Sequence, residues 1–483
     1  MFSERKQRRA ARRAMESALT YEDWLAAAET LDALEHNDAW LEDERSNYYD
    51  HEVIREDVAR FESCLAREDA PALVELLEEA LTQHHHDLLN PRLYCETYSG
   101  ETKHLPRRFL ELAVRALNWL ADEKRTGLPD EAKLERLFQA QHKFGRSALM
   151  LSGGATLGIY HLGVVKALFL RGLLPSIISG SSMGAIVAAG VCTRTDEENA
   201  RMFAHPEEVH RVAVRFKGLR QIARDKSLFG HEQLLEHIRT NMGGDYTFAE
   251  AFAKTGRVLN ISVAPTRSRQ KPRILNHLTA PDLLVTYSAA VSCAMPFLFE
   301  PAMLMTRGPE GEPVPYLPRE RWIDGSVGGD VPMARVGRLH NVNHFIVSQT
   351  NAHVYLFAGK SEQESLAQAG LALASELTTS HLASILGASS RYIENERVRR
   401  RLGRLHDLMA QPYVGDINIH PRVDPAMLRK IVANPSLADF EKFILEGERV
   451  TWPKVAMIRD QTRISRAFEA VIARVEARAA SIV

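Results

Sequence analysis

Cysteine is scarce. The chain of 483 residues holds four, Cys64, Cys95, Cys192 and Cys293, and no two stand at the C-x-x-C spacing of a zinc or redox site. That argues against a disulfide framework and fits a reducing, cytoplasmic setting. No sign of charge dominates: 61 Lys and Arg face 62 Asp and Glu, so the basic excess of a dedicated nucleic-acid binder is missing. The N-terminus, MFSERKQRRAARRAMESALTYEDW, is basic but lacks an apolar h-region, so no secretory signal is read there. Repeats and low-complexity tracts are absent as well. With 45% apolar and 25% charged residues, the composition is that of a folded chain long enough for several domains.

Three stretches carry no Asp, Glu, Lys or Arg: Ser147–Val165, Gly172–Thr193 and Leu283–Phe299. Length alone would suit the first two to a membrane. Their content does not, because SGGATLG and His161 interrupt the first, Pro175 and GSSMG the second, and Pro296 the third. Glycine clusters inside apolar runs read as strand–turn–helix units buried on both faces, and no transmembrane span is expected.

Residues 1–145 show helical spacing, as in Trp24, Ala27, Ala28, Leu31 and Leu34, with breaks at Asn90-Pro91 and Leu128-Pro129. From residue 146 the texture changes. Short apolar runs at Ser147–Ser152, Pro175–Ser179, Arg257–Ala264 and His344–Thr350 alternate with helical patterns, which predicts an α/β core with a mainly parallel sheet over 146–350. Residues 351–483 return to helical patterns, with a late strand near 416–420.

The sharpest chemical signal is Gly180-Ser181-Ser182-Met183-Gly184, between a strand and an apolar helix. That is the setting of a nucleophile elbow, with Ser182 at the centre of G-x-S-x-G and Gly180 and Gly184 relieving the tight turn. Alone, such a string also serves as a small-residue helix start. A second glycine-rich turn, Ser152-Gly153-Gly154-Ala155-Thr156-Leu157-Gly158, also joins a strand to a helix. It fits a dinucleotide site poorly: alanine replaces the middle glycine of G-x-G-x-x-G, and no carboxylate ends the next strand. It suits an oxyanion hole, with backbone N–H groups as donors. The third signal is Trp322-Ile323-Asp324-Gly325-Ser326, which puts a carboxylate at a strand end. Alone, it would read as an Asx turn.

Glycine-rich turn, G-x-S-x-G and D-G-small, in this order over residues 147–350, resemble the patatin-like phospholipase family. The segments TYEDWLAAAETLDALEHNDAW, SNYYDHEVI, LYCETYSGETK and NVNHFIVSQTNAHV resemble its triacylglycerol lipase branch, in which a helical N-terminal domain precedes the patatin core. The resemblance implies hydrolysis of lipid acyl esters by a Ser–Asp dyad without metal or organic cofactor. It implies Ser182 as nucleophile and Asp324 as base, with Gly325 and Ser326 on the base loop. Gly153, Gly154 and Ala155 would be the oxyanion donors. Triacylglycerol is the leading substrate, phospholipase A or lysophospholipase activity the rival, and a weakly catalytic lipid-binding scaffold the non-enzymatic alternative. Two positions depart from the family pattern: Ala155 replaces a third glycine, and Leu157 a basic residue.

A Ser–Asp–His triad is the competing arrangement, since His340, His344 and His353 follow Asp324. His344 sits in a strand-like run, and His161 reads as structural. His84-His85-His86-Asp87 is a solvated segment rather than a metal site. Lys6, Arg8, Arg9, Arg12 and Arg13, and further along Arg391, Arg397, Arg399, Arg400, Arg401 and Arg404, form basic stretches. Each is a solvated face or an attachment to an anionic membrane or lipid-droplet surface. The partners expected are therefore lipids, not nucleic acid.

Overall fold

The computed structural model describes residues 2–81, 85–122, 129–211, 231–267, 270–295, 300–326, 330–350, 414–422 and 435–481. The chain forms two compact units. Met1–Ser147, His340–His344 and Thr451–Val483 make the first, and Ala148–Leu339 with Phe345–Val450 make the second. Thr451–Val483, within the helical region read over 351–483, falls in the first unit.

The first unit is helical. Thr20, Asp50 and Asp69 cap the helices Tyr21–Glu35, His51–Ala66 and Ala70–Ala80 by accepting backbone N–H bonds. Helix His104–Leu120 buries Leu105, Phe109, Leu110, Leu112, Ala113, Ala116 and Leu117. Helix Arg463–Ala480 explains why the C-terminal segment belongs here. Its stripe of Ile464, Phe468, Val471, Ile472 and Val475 repeats at helical spacing and is buried. Val471 and Val475 cluster with Ala121, Leu134 and Leu137, and Arg478 pairs with Asp130 at 2.6 Å. Arg459 binds both carboxylate oxygens of Glu101 at 2.8 Å.

The second unit is built on a sheet. Its strands are β1 (Arg146–Leu151), β2 (Ile177–Gly180), β3 (Val258–Pro265), β4 (Arg273–Leu275), β7 (Trp322–Asp324), β8 (Val342–Ser348) and β9 (Ile417–Ile419); β5 (Met305–Arg307) and β6 (Pro313–Pro315) form a separate hairpin. The order is β4-β3-β2-β1-β8-β9, with β7 also on β3. β1, β2 and β3 run parallel, as do β8 and β9, while β4 and β7 pair antiparallel with β3. Two of the charge-free runs are thereby explained: each is a buried strand, a glycine turn and a buried helix (Tyr160–Phe169 or Met183–Cys192). Among the described residues, no helix is long and apolar enough to cross a membrane.

Register sets up the site. Leu151 pairs with Gly180, and Gly180 with Ile261. Two residues beyond Ile261, Val263 pairs with Asp324. Two residues beyond Gly180 stands Ser182. The carboxyl ends of β1 and β2 and the last residue of β7 therefore meet at one sheet edge, where open α/β sheets bind their ligands.

Candidate active site

The elbow is tight because two glycines let backbones touch. A Cβ on Gly180 would lie 2.2 Å from the Gly184 carbonyl oxygen, and one on Gly184 would lie 2.4 Å from that of Leu151. Between them Ser182 is held at φ 53°, ψ −126°, a conformation that side chains rarely adopt. Its N–H donates to Ser292 Oγ at 3.0 Å, and Ser292 Oγ donates to the Ser262 carbonyl at 2.8 Å. Helix Met183–Cys192 starts at the next residue, so its first N–H groups lack helical partners and favour negative charge there. Ser181, by contrast, is fully buried, and its hydroxyl bonds to Ser262 Oγ and the Asp330 carbonyl.

Asp324 is completely buried. Its Oδ1 accepts the Ser326 N–H at 2.8 Å and the Ser326 hydroxyl at 2.7 Å, while Oδ2 has no hydrogen-bond partner among the described residues. Burial pushes the carboxyl from its usual 3.8 up to about 6. The two Ser326 bonds and the nearby Ser182 hydroxyl pull in the other direction. Ser182 thus stands near enough to favour the carboxylate without making a bond of ordinary geometry to Oδ2. Cys293 adjoins the same pair. Burial first, then the Asp324 charge, keeps its thiol well above the usual range and hence protonated. Gly325 is required by space, because a Cβ would meet the Ser262 carbonyl at 2.2 Å.

The glycine-rich turn is fixed from below. Ser152 Oγ donates to the Gly153 carbonyl at 2.8 Å and accepts the Thr350 N–H at 2.8 Å. Thr350 Oγ1 donates to the same Gly153 carbonyl at 3.0 Å. His161 Nε2 bonds to the Ser152 carbonyl at 2.9 Å and Nδ1 to Ser348 Oγ at 2.8 Å. Burial lowers that imidazole to about 4, so it is a neutral strut. A Cβ on Gly154 would lie 2.2 Å from Thr350 Oγ1. Ala155, at the position of the expected third glycine, takes φ 49°. One expectation changes here: the Gly153 N–H already donates to Asp330 Oδ1 at 2.8 Å. No such acceptor meets the Gly154 or Ala155 N–H among the described residues.

The histidines lead elsewhere. His344 uses Nδ1 on Ser147 Oγ at 3.0 Å and Nε2 on Gln461 Oε1 at 2.9 Å. His340 ends the helix Met333–His340 and is buried. His85 Nε2 bonds to Asp57 Oδ2 at 2.7 Å. His84, His353 and the arginines from Arg391 to Arg404 lie outside the described residues. Ser292, Cys293 and Asp330 form no motif in the sequence, and only the fold brings them to the site.

Profile comparison matches residues 149–335 to the patatin-like phospholipases and residues 1–142 to a domain of unknown function, DUF3336. A patatin-like phospholipase domain-containing protein of Aspergillus terreus is 33% identical over 499 residues, covering 96% of this chain and 68% of that one. A counterpart in Coccidioides immitis is 33% identical over 487 residues, and the chain spans only 66% of its length. The triacylglycerol lipase ptl3 of Schizosaccharomyces pombe is 32% identical over 488 residues, covering 97% of this chain and 98% of the lipase. Among solved structures, VipD from Legionella pneumophila aligns with a TM-score of 0.29 at 13% identity over 62% of this chain and 66% of its own, too distant to add to the fold. Identity of this extent, over nearly the whole chain, makes the chain a member of the patatin-like phospholipase family, a family of lipid ester hydrolases.

Proposed function

We propose that this protein is a serine lipase that hydrolyses triacylglycerol through a Ser182–Asp324 dyad. The observation that carries the reading is a buried, half-partnered Asp324 raised to about 6 beside a conformationally strained Ser182. A carboxylate of that basicity is ionised at neutral pH and a better proton acceptor than an exposed aspartate. Ser182 Oγ attacks the ester carbonyl carbon as its proton passes to Asp324. The tetrahedral oxyanion is met by the Gly154 and Ala155 N–H groups and the start of helix Met183–Cys192. Collapse breaks the ester C–O bond, and the alkoxide leaves with the proton from Asp324. Water then attacks the acyl-serine with Asp324 again as base, which releases the fatty acid and restores the Ser182 hydroxyl.

The extended similarity to ptl3, named a triacylglycerol lipase, favours neutral lipid over phospholipid. Phospholipid acyl hydrolysis is the second reading, supported by the naming of the fungal relatives. A basic helix supplies a route to the lipid surface. In Phe2–Ser17, Arg8 is tied to the Leu34 carbonyl at 2.8 Å and to Glu35, and Arg12 to Tyr98 Oη at 2.9 Å. Arg5, Lys6, Arg9 and Arg13 remain exposed and suit anionic headgroups. The test is turnover of emulsified triacylglycerol, diacylglycerol, phospholipid and a soluble short-chain ester, each with wild type and Ser182→Ala. Fastest Ser182-dependent release of fatty acid from triacylglycerol is expected. Preference for phospholipid would overturn the substrate class, and an active Ser182→Ala would overturn the nucleophile.

A further inference from the structure

Asp330 lies six residues beyond Asp324, and its side chain is 1% exposed. It ties together the two turns on which the proposed chemistry depends. Its Oδ1 accepts the Gly153 N–H at 2.8 Å, and its backbone carbonyl accepts the hydroxyl of Ser181, next to the nucleophile. The Gly153 carbonyl is meanwhile held by Ser152 Oγ and Thr350 Oγ1. Both polar groups of Gly153 are therefore committed, which fixes the orientation of the peptide planes on either side of it. The next two N–H groups, on Gly154 and Ala155, make no such bond among the described residues.

We propose that Asp330 is a positioning residue: it anchors the glycine-rich turn so that the Gly154 and Ala155 N–H groups, rather than that of Gly153, receive the oxyanion. The inference rests on the Ser182 reading above. What Asp330 supplies is an acceptor oxygen at a fixed place, and an amide oxygen can supply the same. A longer side chain cannot, since it displaces that oxygen by about 1 Å, enough to matter in an oxyanion site.

The test compares full-length wild type, Ser182→Ala, Asp330→Ala, Asp330→Asn and Asp330→Glu, each checked by circular dichroism. The probes are a soluble short-chain ester and a fluorophosphonate, whose attack on the serine needs the same donors. Asp330→Ala is expected to lower kcat about 100-fold, as loss of an oxyanion donor does, with KM within about threefold. The fluorophosphonate inactivation rate should fall in parallel. Asp330→Asn should recover most of both rates, and Asp330→Glu should lose at least about tenfold. Wild-type kcat and inactivation rate in a folded Asp330→Ala, or in Asp330→Glu should the alanine variant not fold, would overturn the proposal. So would Asp330→Asn failing as badly as Asp330→Ala. Those results count against Asp330 when Ser182→Ala is inactive; an active Ser182→Ala would instead remove the dyad reading itself.

Discussion

Replacing Asp324 by Asn separates chemistry from folding, because the two should move in opposite directions. Asn keeps an oxygen for the Ser326 N–H and hydroxyl, which bond Asp324 Oδ1 at 2.8 and 2.7 Å. It loses the proton acceptor. Turnover should fall about 10⁴-fold, a barrier increase of about 5 kcal/mol, as when a catalytic carboxylate elsewhere becomes an amide. Stability should respond differently. Burial raises the folded-state pKa from 3.8 to about 6, so folding favours the protonated acid. That contribution is complete below about pH 4 and is lost as pH rises through about 6, a span worth about 3 kcal/mol. Asn does not titrate. The stability of Asp324→Asn relative to wild type should therefore improve by about 3 kcal/mol between about pH 3.5 and about pH 7.5. The measurements are kcat on a soluble ester from pH 4.5 to 8.5 and urea midpoints across the same range and below. Wild-type kcat/KM should rise with pH and reach half its plateau near 6, since the base works ionised. A misfolded variant would lose both activity and stability. Turnover within tenfold of wild type, or a stability difference that does not change with pH, would refute the reasoning.

Ser182→Ala should abolish turnover, while Ser181→Ala should keep most of it and lower stability by about 1–2 kcal/mol through lost buried bonds to Ser262 and Asp330; ester kinetics and denaturant midpoints check the pair. Gly154→Ala should remove activity, because its Cβ would press on Thr350 Oγ1 at 2.2 Å, whereas Ala155→Gly, relieving φ 49°, should change stability by no more than about 1 kcal/mol and leave kcat intact. Exchanging Arg5, Lys6, Arg9 and Arg13 for Gln should weaken sedimentation with phosphatidylserine vesicles and flatten its salt dependence, without changing turnover of a soluble ester. His344→Asn should lower the melting temperature through its bonds to Ser147 and Gln461 but leave kcat within about threefold; a loss as large as that of Asp324→Asn would restore a triad.

What the sequence showed and what it hid follow from the range of the interactions. Strands β1, β2, β3, β8 and β9 are short apolar or alternating segments between turns, and local pattern finds them. β4 (Arg-Ile-Leu), β5 (Met-Thr-Arg) and β6 (Pro-Val-Pro) lack the apolar–polar alternation that marks β9 (Ile-Asn-Ile) at the same length. The elbow and the D-G-S turn were legible because steric limits at a tight turn constrain neighbours in sequence. Ser292 and Asp330 escaped because they reach Ser182 and Gly153 across 110 and 177 residues, and nothing local marks them. For the same reason Gly153 looked like a donor available to substrate: a motif counts N–H groups, but only the folded chain shows which are already spoken for. The C-terminal helices were legible as helices, yet not the unit they would join, since an apolar stripe states that a partner exists without naming it.

That division of the C-terminal region has a consequence for biosynthesis. The helical unit is discontinuous: Met1–Ser147 must wait for Thr451–Val483, which is made after the sheet unit. Until then, the surfaces around Ala121, Leu134 and Leu137 lack Val471 and Val475, and Asp130 and Glu101 lack Arg478 and Arg459. The sheet unit, encoded almost entirely between those halves, can close while the chain is still being made. A ribosome stalled before residue 451 would thus carry a closed sheet unit and an unfinished helical unit whose apolar surface is uncovered. A premature stop there would expose the protein to chaperones and proteases through a unit that holds none of its proposed chemistry.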